Sequence, residues 1–299
     1  METFLEQLFN GLSLASVLLL IALGLTFTFG QMGVINMAHG EFIMAGAYAP
    51  YVLQTKVGFL ASLSGVAFAI SLPVAFVVAG VLGLVVERLL LRRMYGRPLD
   101  TLLVTFGVAL VLQQVAKDLF GAPNVEVRTP SALRGNVEVL GVTMPYTRLF
   151  IMGLVIVVVS LVWVFMAKLA QGRRMRAVME NRDLAAVSGL PTRKVDGVTF
   201  FIGSGLAGIA GVAISLIGSI GFQIGTTYII DAFLVVVVGG VGKLRGAILA
   251  ALGIGIVNAY SEYATSASIG KAIVFVCVIV FLQFRPNGLV TLRTRGLTA

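Results

Sequence analysis

With 299 residues, 58% of them hydrophobic and only 12% charged, and with a mean hydropathy of +1.01, this chain lacks the polar side chains to face water; soluble domains carry about a quarter charged residues. The formal charge of +9 does not indicate a nucleic-acid partner, because the cations sit in short segments between apolar runs, where they orient a membrane protein. The single cysteine, Cys277, excludes an internal disulfide, and neither a metal site nor a cofactor is expected from the scattered ligand types.

A membrane-crossing helix takes about 20 apolar residues. Apolar runs fall in order at Leu8–Gly30, Met32–Leu53, Phe59–Val86, Leu99–Phe120, Leu149–Leu169, Val198–Gly218, Ile229–Tyr260 and Ile269–Phe284. The composition and these runs predict a single all-α transmembrane domain over 1–299, of about eight helices. The acidic start, Met-Glu-Thr-Phe-Leu-Glu, lacks the positive n-region of a signal peptide, so the first run is expected to be retained as a helix.

The connecting segments set the orientation. Arg88, Arg92, Arg93 and Arg97 follow the third run. Arg173, Arg174, Arg176, Arg182, Arg193 and Lys194 follow the fifth, against Glu180, Asp183 and Asp196. Arg285, Arg293 and Arg295 end the chain without an acid. All three clusters are placed inside. Gly121–Thr147 balances its charges and suits an external loop, and the acidic start points outside. Eight simple crossings would leave both termini on one side, which the charges forbid.

Two interruptions offer a way out. Val238–Gly246, Val-Gly-Gly-Val-Gly-Lys-Leu-Arg-Gly, brings Lys243 and Arg245 into an apolar run. A cation at a helix centre costs about 2.5–3.5 kcal/mol, so a break or re-entrant turn is predicted there. The earlier interruption, Gly30–Glu41, sets Asn36, His39 (the one histidine) and Glu41 between two apolar runs. Paired interruptions in the two halves of a membrane chain point to a transport site. Asn36, His39, Glu41, Gly239, Gly240 and Gly242 are therefore candidates for the substrate pathway, against a plainer reading in which His39 and Glu41 cap a helix.

Other patterns weigh less. The Gly239–Lys243 stretch misses a phosphate-binding loop, having Leu244 after the lysine and Val238 where a glycine is required. Gly203, Gly205 and Gly208 match a dinucleotide fingerprint in spacing, but they fall in a membrane run and suit close helix packing instead. Met175–Pro191 reads as an amphipathic helix with Met175, Val178, Met179 and Ala186 on one face, Gly189 capping and Pro191 stopping it. Such a helix either lies on lipid or docks a cytoplasmic partner. Gln113, Gln114, Asp231 and Asn258 are polar groups for substrate or for bridging helices, and Trp163 is packing or an interface anchor. A hydrolase using Ser204 and His39 has no oxyanion or metal signal beside it, so no catalytic residue is expected.

Three of these stretches also carry a family resemblance. Gln31–Tyr51 resembles the N-[FM]-A-H-G-E signature of the LivH-like permeases of branched-chain amino acid and urea ABC importers. Arg173–Val195 resembles that family's cytoplasmic coupling loop, and Phe233–Gly246 its G-G-[VI]-G-x-x-x-G segment. The likeness runs in order over essentially the whole chain. Asn36-Met37, Tyr95–Leu103 and Phe120–Val127 resemble the urea-type subunit more than the amino-acid type, while Lys243 and Arg245 depart from the family pattern, whose turn carries less charge.

The resemblance implies an ABC-importer permease fold in the bacterial inner membrane, importing urea or short amides, or alternatively branched-chain amino acids, by alternating access. A passive channel or secondary transporter is the alternative from another class. It also implies a second homologous permease subunit, two cytoplasmic ATPase subunits that hydrolyse the ATP, an extracytoplasmic solute-binding protein and surrounding membrane lipid. Arg176, Glu180, Asn181, Ala185 and Gly189 match the coupling-loop pattern and are expected to dock the ATPase.

Overall fold

The computed structural model describes residues 2–57, 63–139 and 141–290. In chain order the helices are α1 (Glu2–Met32), α2 (His39–Lys56), α3 (Ser64–Leu89), α4 (Pro98–Phe120), α5 (Tyr146–Lys168), α6 (Ala170–Glu180), α7 (Arg182–Val187), α8 (Thr192–Ile214), α9 (Ile224–Gly239), α10 (Leu244–Ala264) and α11 (Ala267–Phe284). Among the described residues α1, α3, α4, α5, α8, α10 and α11 are long and apolar enough to cross a bilayer; α9 is shorter and α2 less apolar. The start of the third apolar run at Phe59, and Arg293 and Arg295, lie outside the described residues.

α1 is the central post. From Val17 to Thr28 it is apolar on nearly every side and buried throughout: Leu20, Ile21, Ala22, Leu23 and Leu25 are fully enclosed. α8 is the second inner helix, and its small residues let neighbours approach closely. A methyl group at Gly46 of α2 would collide with the Gly208 backbone, and one at Gly24 of α1 with the Gly203 carbonyl. The outer helices expose their large apolar side chains, such as Val77, Leu110, Ile156 and Ile279, as lipid-facing helices must.

Contacts at the helix ends fix the directions. The Tyr260 hydroxyl donates to the Phe4 carbonyl, whereas Gly30 meets Gly242, so α1 and α10 are antiparallel. Arg148, opening α5, donates to Asn10, so α5 starts at the same face as α1. Gly197 lies beside Glu87 and Gly208 beside Ala75, making α3 and α8 antiparallel. The described chain runs nine times between the two faces: α1, α2 with the segment before it, α3, α4, α5, α8, α9, α10 and α11. An odd number puts the termini on opposite sides, as the charges require.

The extra pass comes from Ile229–Tyr260, expected as one interrupted segment. It is two antiparallel helices, α9 and α10, joined by a tight turn at 240–243 in which Gly240 and Gly242 take φ of 95° and 75°. That turn does not lie at membrane depth. It sits at the basic face, in one groove with Arg176 and Met179, so Lys243 and Arg245 reach water and the expected burial cost does not arise.

Two smaller corrections follow. The outer loop carries a two-stranded antiparallel hairpin, β1 (Asn136–Val139) with β2 (Val142–Pro145), and Val125 bridges to Ile220. The amphipathic stretch after Met175 is two helices, because Asn181 ends α6 and caps α7 by accepting from the Leu184 amide. The break resets the helical phase, so Ala185 faces inward and Ala186 outward. Met175 and Val178 are buried as the pattern predicted. Gly189 ends α7 at φ 81° while the Leu190 amide donates to Ala185, the hydrogen bond of a glycine helix cap.

Candidate functional site

The site grows from the first interruption. Gly33, at φ 62°, turns the chain back after α1, and residues 33–38 retrace the helix until His39 Nε2 stands 3.3 Å from the Ile21 carbonyl. Ile21 is eleven residues before the end of α1, about 16 Å at the helical rise, so the backbone re-enters to about mid-bilayer. Irregular backbone survives there only when protein or a polar cavity encloses it. Val34, Asn36 and Ala38 are buried, the Met37 amide donates to Thr105 Oγ1 of α4 at 3.1 Å, and Asn36 Oδ1 accepts from the Ala38 amide at 3.0 Å.

One turn into α2, Glu41 is almost wholly enclosed (1% exposed). Gln113 Nε2 of α4 donates to its Oε1 at 2.7 Å and also lies 2.9 Å from Thr226 Oγ1 of α9. The Gln113 amide thus ties α2, α4 and α9 together. Among the described residues five buried polar atoms lack a hydrogen-bond partner: Asn36 Nδ2, His39 Nδ1, Glu41 Oε2, Tyr48 Oη and Ser204 Oγ. Glu41 and Tyr48 also line a cavity of about 360 Å³ whose remaining wall, including Met44, Val78, Leu112 and Phe120, is apolar. Unpaired polar atoms inside a membrane protein are costly and mark functional surfaces more often than structural ones.

The other sequence-singled residues distribute plainly. Gly239 packs on Gly246, and Gly242 on Gly30, at the basic end of α1. Gly239, Gly240, Gly242 and Gly246 shape the α9–α10 turn about half a bilayer from His39 and do not touch Asn36, His39 or Glu41. Gln113 joins the buried cluster, whereas Gln114 turns outward to Asp118 and Asn258 to Glu262. Asp231 pairs with Lys271 at 3.1 Å, joining α9 to α11. Ser204 and His39 share no hydrogen bond, and among the described residues no group of three metal-ligating side chains occurs.

At the basic face lies a second cluster that sequence reading missed. Asp196, fully buried, receives a two-pronged salt bridge from Arg182 of α7 and a 2.9 Å hydrogen bond from Gln31 Nε2 at the end of α1. Gln31 Oε1 in turn accepts from Thr199 Oγ1 at 2.6 Å. The Arg182 guanidinium lies 5.2 Å from the Tyr95 ring centre, and Tyr95 donates to buried Glu87 at 2.8 Å, which also holds Arg92 at 3.2 Å. Its hydrogen bond with Asp196 raises the Arg182 pKa. Burial, reinforced by Glu87, raises that of Tyr95. The network buckles the α6–α7 segment to α1, two residues before the re-entrant turn at Gly33.

Of the residues expected at a docking surface, Arg176 and Glu180 are exposed on α6, Asn181 caps α7 and Ala185 is buried. Leu184 and Val187, which composition gave no reason to single out, stand 64% and 87% exposed on the same segment.

A family described as branched-chain amino acid transport system / permease component matches residues 7–282. Among curated relatives, the high-affinity branched-chain amino acid transport system permease protein BraD of Pseudomonas aeruginosa is 30% identical, the match covering 96% of this chain and 95% of the relative. The LivH permease protein of the corresponding Escherichia coli K12 system is also 30% identical over the same shares. A probable branched-chain amino acid transport permease protein LivH of Methanocaldococcus jannaschii is 26% identical over 92% of this chain and 89% of its own length. No solved structure matches.

Proposed function

This chain belongs to the family of branched-chain amino acid transport permease components, and from that premise we propose that it is the permease subunit of an ATP-driven importer of branched-chain amino acids. It is a multi-pass protein of the inner membrane. The urea reading rested on three short stretches. Each relative described above is named for branched-chain amino acids and nothing in the comparisons points to urea, so the amino acid replaces it.

The observation that carries the reading is one connected path. Exposed Leu184 and Val187 offer an apolar contact to a cytoplasmic ATPase, as exposed apolar patches do, beside Arg176 and Glu180. Arg182 and Asp196 link that segment to Gln31, and Gln31 is two residues from the re-entrant segment holding Asn36, His39 and Glu41. A push on α7 by closing ATPase subunits would reach the mid-bilayer polar cluster through hydrogen-bonded side chains rather than through loose loop. A second related permease, two ATPase subunits and an external solute-binding protein complete the assembly.

The test is uptake into proteoliposomes holding this chain with those partners. Labelled leucine should enter only with ATP, and labelled urea should not enter. Uptake of urea alone would reinstate the first substrate reading, and full-rate uptake by this chain without partners would replace the importer with a channel or secondary transporter.

A further inference from the structure

Lys243 and Arg245 are left over from the reading above, since the α9–α10 turn needs glycines but no charge. They line a groove of about 290 Å³ at the cytoplasmic end of the bundle, between α5, α6 and the α9–α10 turn. Arg176 contributes a third cation and Glu180 a single carboxylate. Among the described residues none of these three cations is within ion-pair reach of an acid. The other wall is apolar, formed by Trp163, Met166, Met179 and Leu244. Trp163 is 57% exposed and sits five residues before the inner end of α5, about 7.5 Å deep at the helical rise, the level of the aromatic belt between headgroups and acyl chains. The adjoining Val164 is exposed as well, so this side of the groove opens on the bilayer.

We propose that this groove binds one anionic phospholipid of the inner leaflet, its phosphate held by Lys243, Arg245 and Arg176 and its glycerol and upper acyl chain lying against Trp163 and Met166. The chemistry is complementary in both parts: three unpaired cations against one carboxylate at headgroup level, and an apolar wall directly below. Basic pockets between membrane helices on the cytoplasmic side take anionic headgroups in this way. A cytoplasmic protein partner would leave the apolar wall, which lies at bilayer depth, without a use. The bound lipid would pin the α9–α10 turn to α5 and α6, beside the Gly30–Gly242 contact, and so brace the inner end of α1. The inference does not depend on which solute is carried.

The test is lipid retention by the full chain, purified in a mild detergent from nanodiscs of phosphatidylcholine and phosphatidylglycerol and read by native mass spectrometry. The wild-type chain should retain phosphatidylglycerol over phosphatidylcholine. Lys243→Ala and Arg245→Ala should each lower that preference by about fivefold, in line with the attraction of one cation to an anionic surface. Trp163→Ala should weaken retention of both lipids. Arg93→Ala, an exposed cation at the same face but off the groove, should change nothing; equal loss there would mean diffuse adsorption and overturn the site. Displacement by millimolar inorganic phosphate would point to a free-anion site and overturn the lipid assignment. Unchanged lipid retention with lost ATPase co-purification in the Lys243 and Arg245 variants would assign the groove to the protein partner instead.

Discussion

The two interruptions of the apolar pattern look alike in sequence and differ in structure. Both are glycine-bearing stretches between strongly apolar runs. The first, from Gly33 to Ala38, turns back into the bundle and opens α2 beside Ile21, at about mid-bilayer. The second, Gly240 to Lys243, is a surface turn at the basic end. The difference follows from the polar residues each carries. Asn36, His39 and Glu41 carry no two charges of the same sign, and neighbouring helices offer Thr105, Gln113 and a backbone carbonyl to receive them. Lys243 and Arg245 carry two charges of one sign with no acid in reach, and only water or headgroups accommodate those. Glycine marks where a membrane chain is free to turn, and the charge beside it decides the depth.

The largest expected effect attacks the packing that lets the first interruption exist. Gly46→Leu would drive a side chain into the Gly208 backbone, which no rotamer change relieves, so the two helices cannot stay packed and folded protein should be lost from the membrane by size-exclusion profile. Gly33→Asn, where space is open and a positive φ is tolerated by asparagine, should leave that profile intact.

Next, Asp196→Ala strips Arg182 and Gln31 of their shared partner. Breaking a buried pair costs about 3–5 kcal/mol, an upper bound here because Arg182 is about a third exposed. The melting temperature in detergent should fall and ATP-driven uptake should vanish. Asp196→Glu, restoring the charge, should recover part of both. Uptake unaffected by Asp196→Ala would remove the link between docking segment and re-entrant segment.

Glu41→Gln keeps the shape and exchanges one acceptor oxygen for an amide donor. A hydrogen bond is worth about 0.5–1.5 kcal/mol, so uptake should drop by up to about tenfold while the fold persists. Wild-type uptake would reduce Glu41 to the helix-capping role that sequence reading held as its alternative. The smallest effect on the fold belongs to the cytoplasmic side: Leu184→Asp with Val187→Asp should shift stability by about 0.5 kcal/mol at most, as surface substitutions do, yet abolish co-purification of the ATPase.

Much of this architecture was legible in the sequence. The membrane, the helical class and the division of the loops between two faces follow from apolar run length and arginine placement, and the parity problem in the charges demanded one more pass than eight runs supply, as the nine passes of the described chain show. The turn at Val238–Gly246 was foreseen but misjudged in depth, because an apolar run on both sides of it does not say whether the chain reverses inside the bilayer or at its surface. Asn36, His39 and Glu41 stood out because polar groups are rare in such runs. Asp196 and Gln31 did not, since both sit at run ends where a polar residue is unremarkable, and their pairing spans 165 positions. Leu184 and Val187 were invisible for the opposite reason: in a chain that is 58% hydrophobic, an apolar residue on a water-facing helix carries no compositional signal.

Accessibility separates the two interruptions most directly. With Cys277 replaced by serine, a single cysteine at Asn36 and another at Val241 are probed with a membrane-impermeant maleimide in the reconstituted importer. Val241→Cys should label from the cytoplasmic side at all times, and Asn36→Cys only while ATP is being turned over. Labelling of Asn36→Cys at the same rate with and without ATP would contradict a mid-bilayer site opened by the transport cycle.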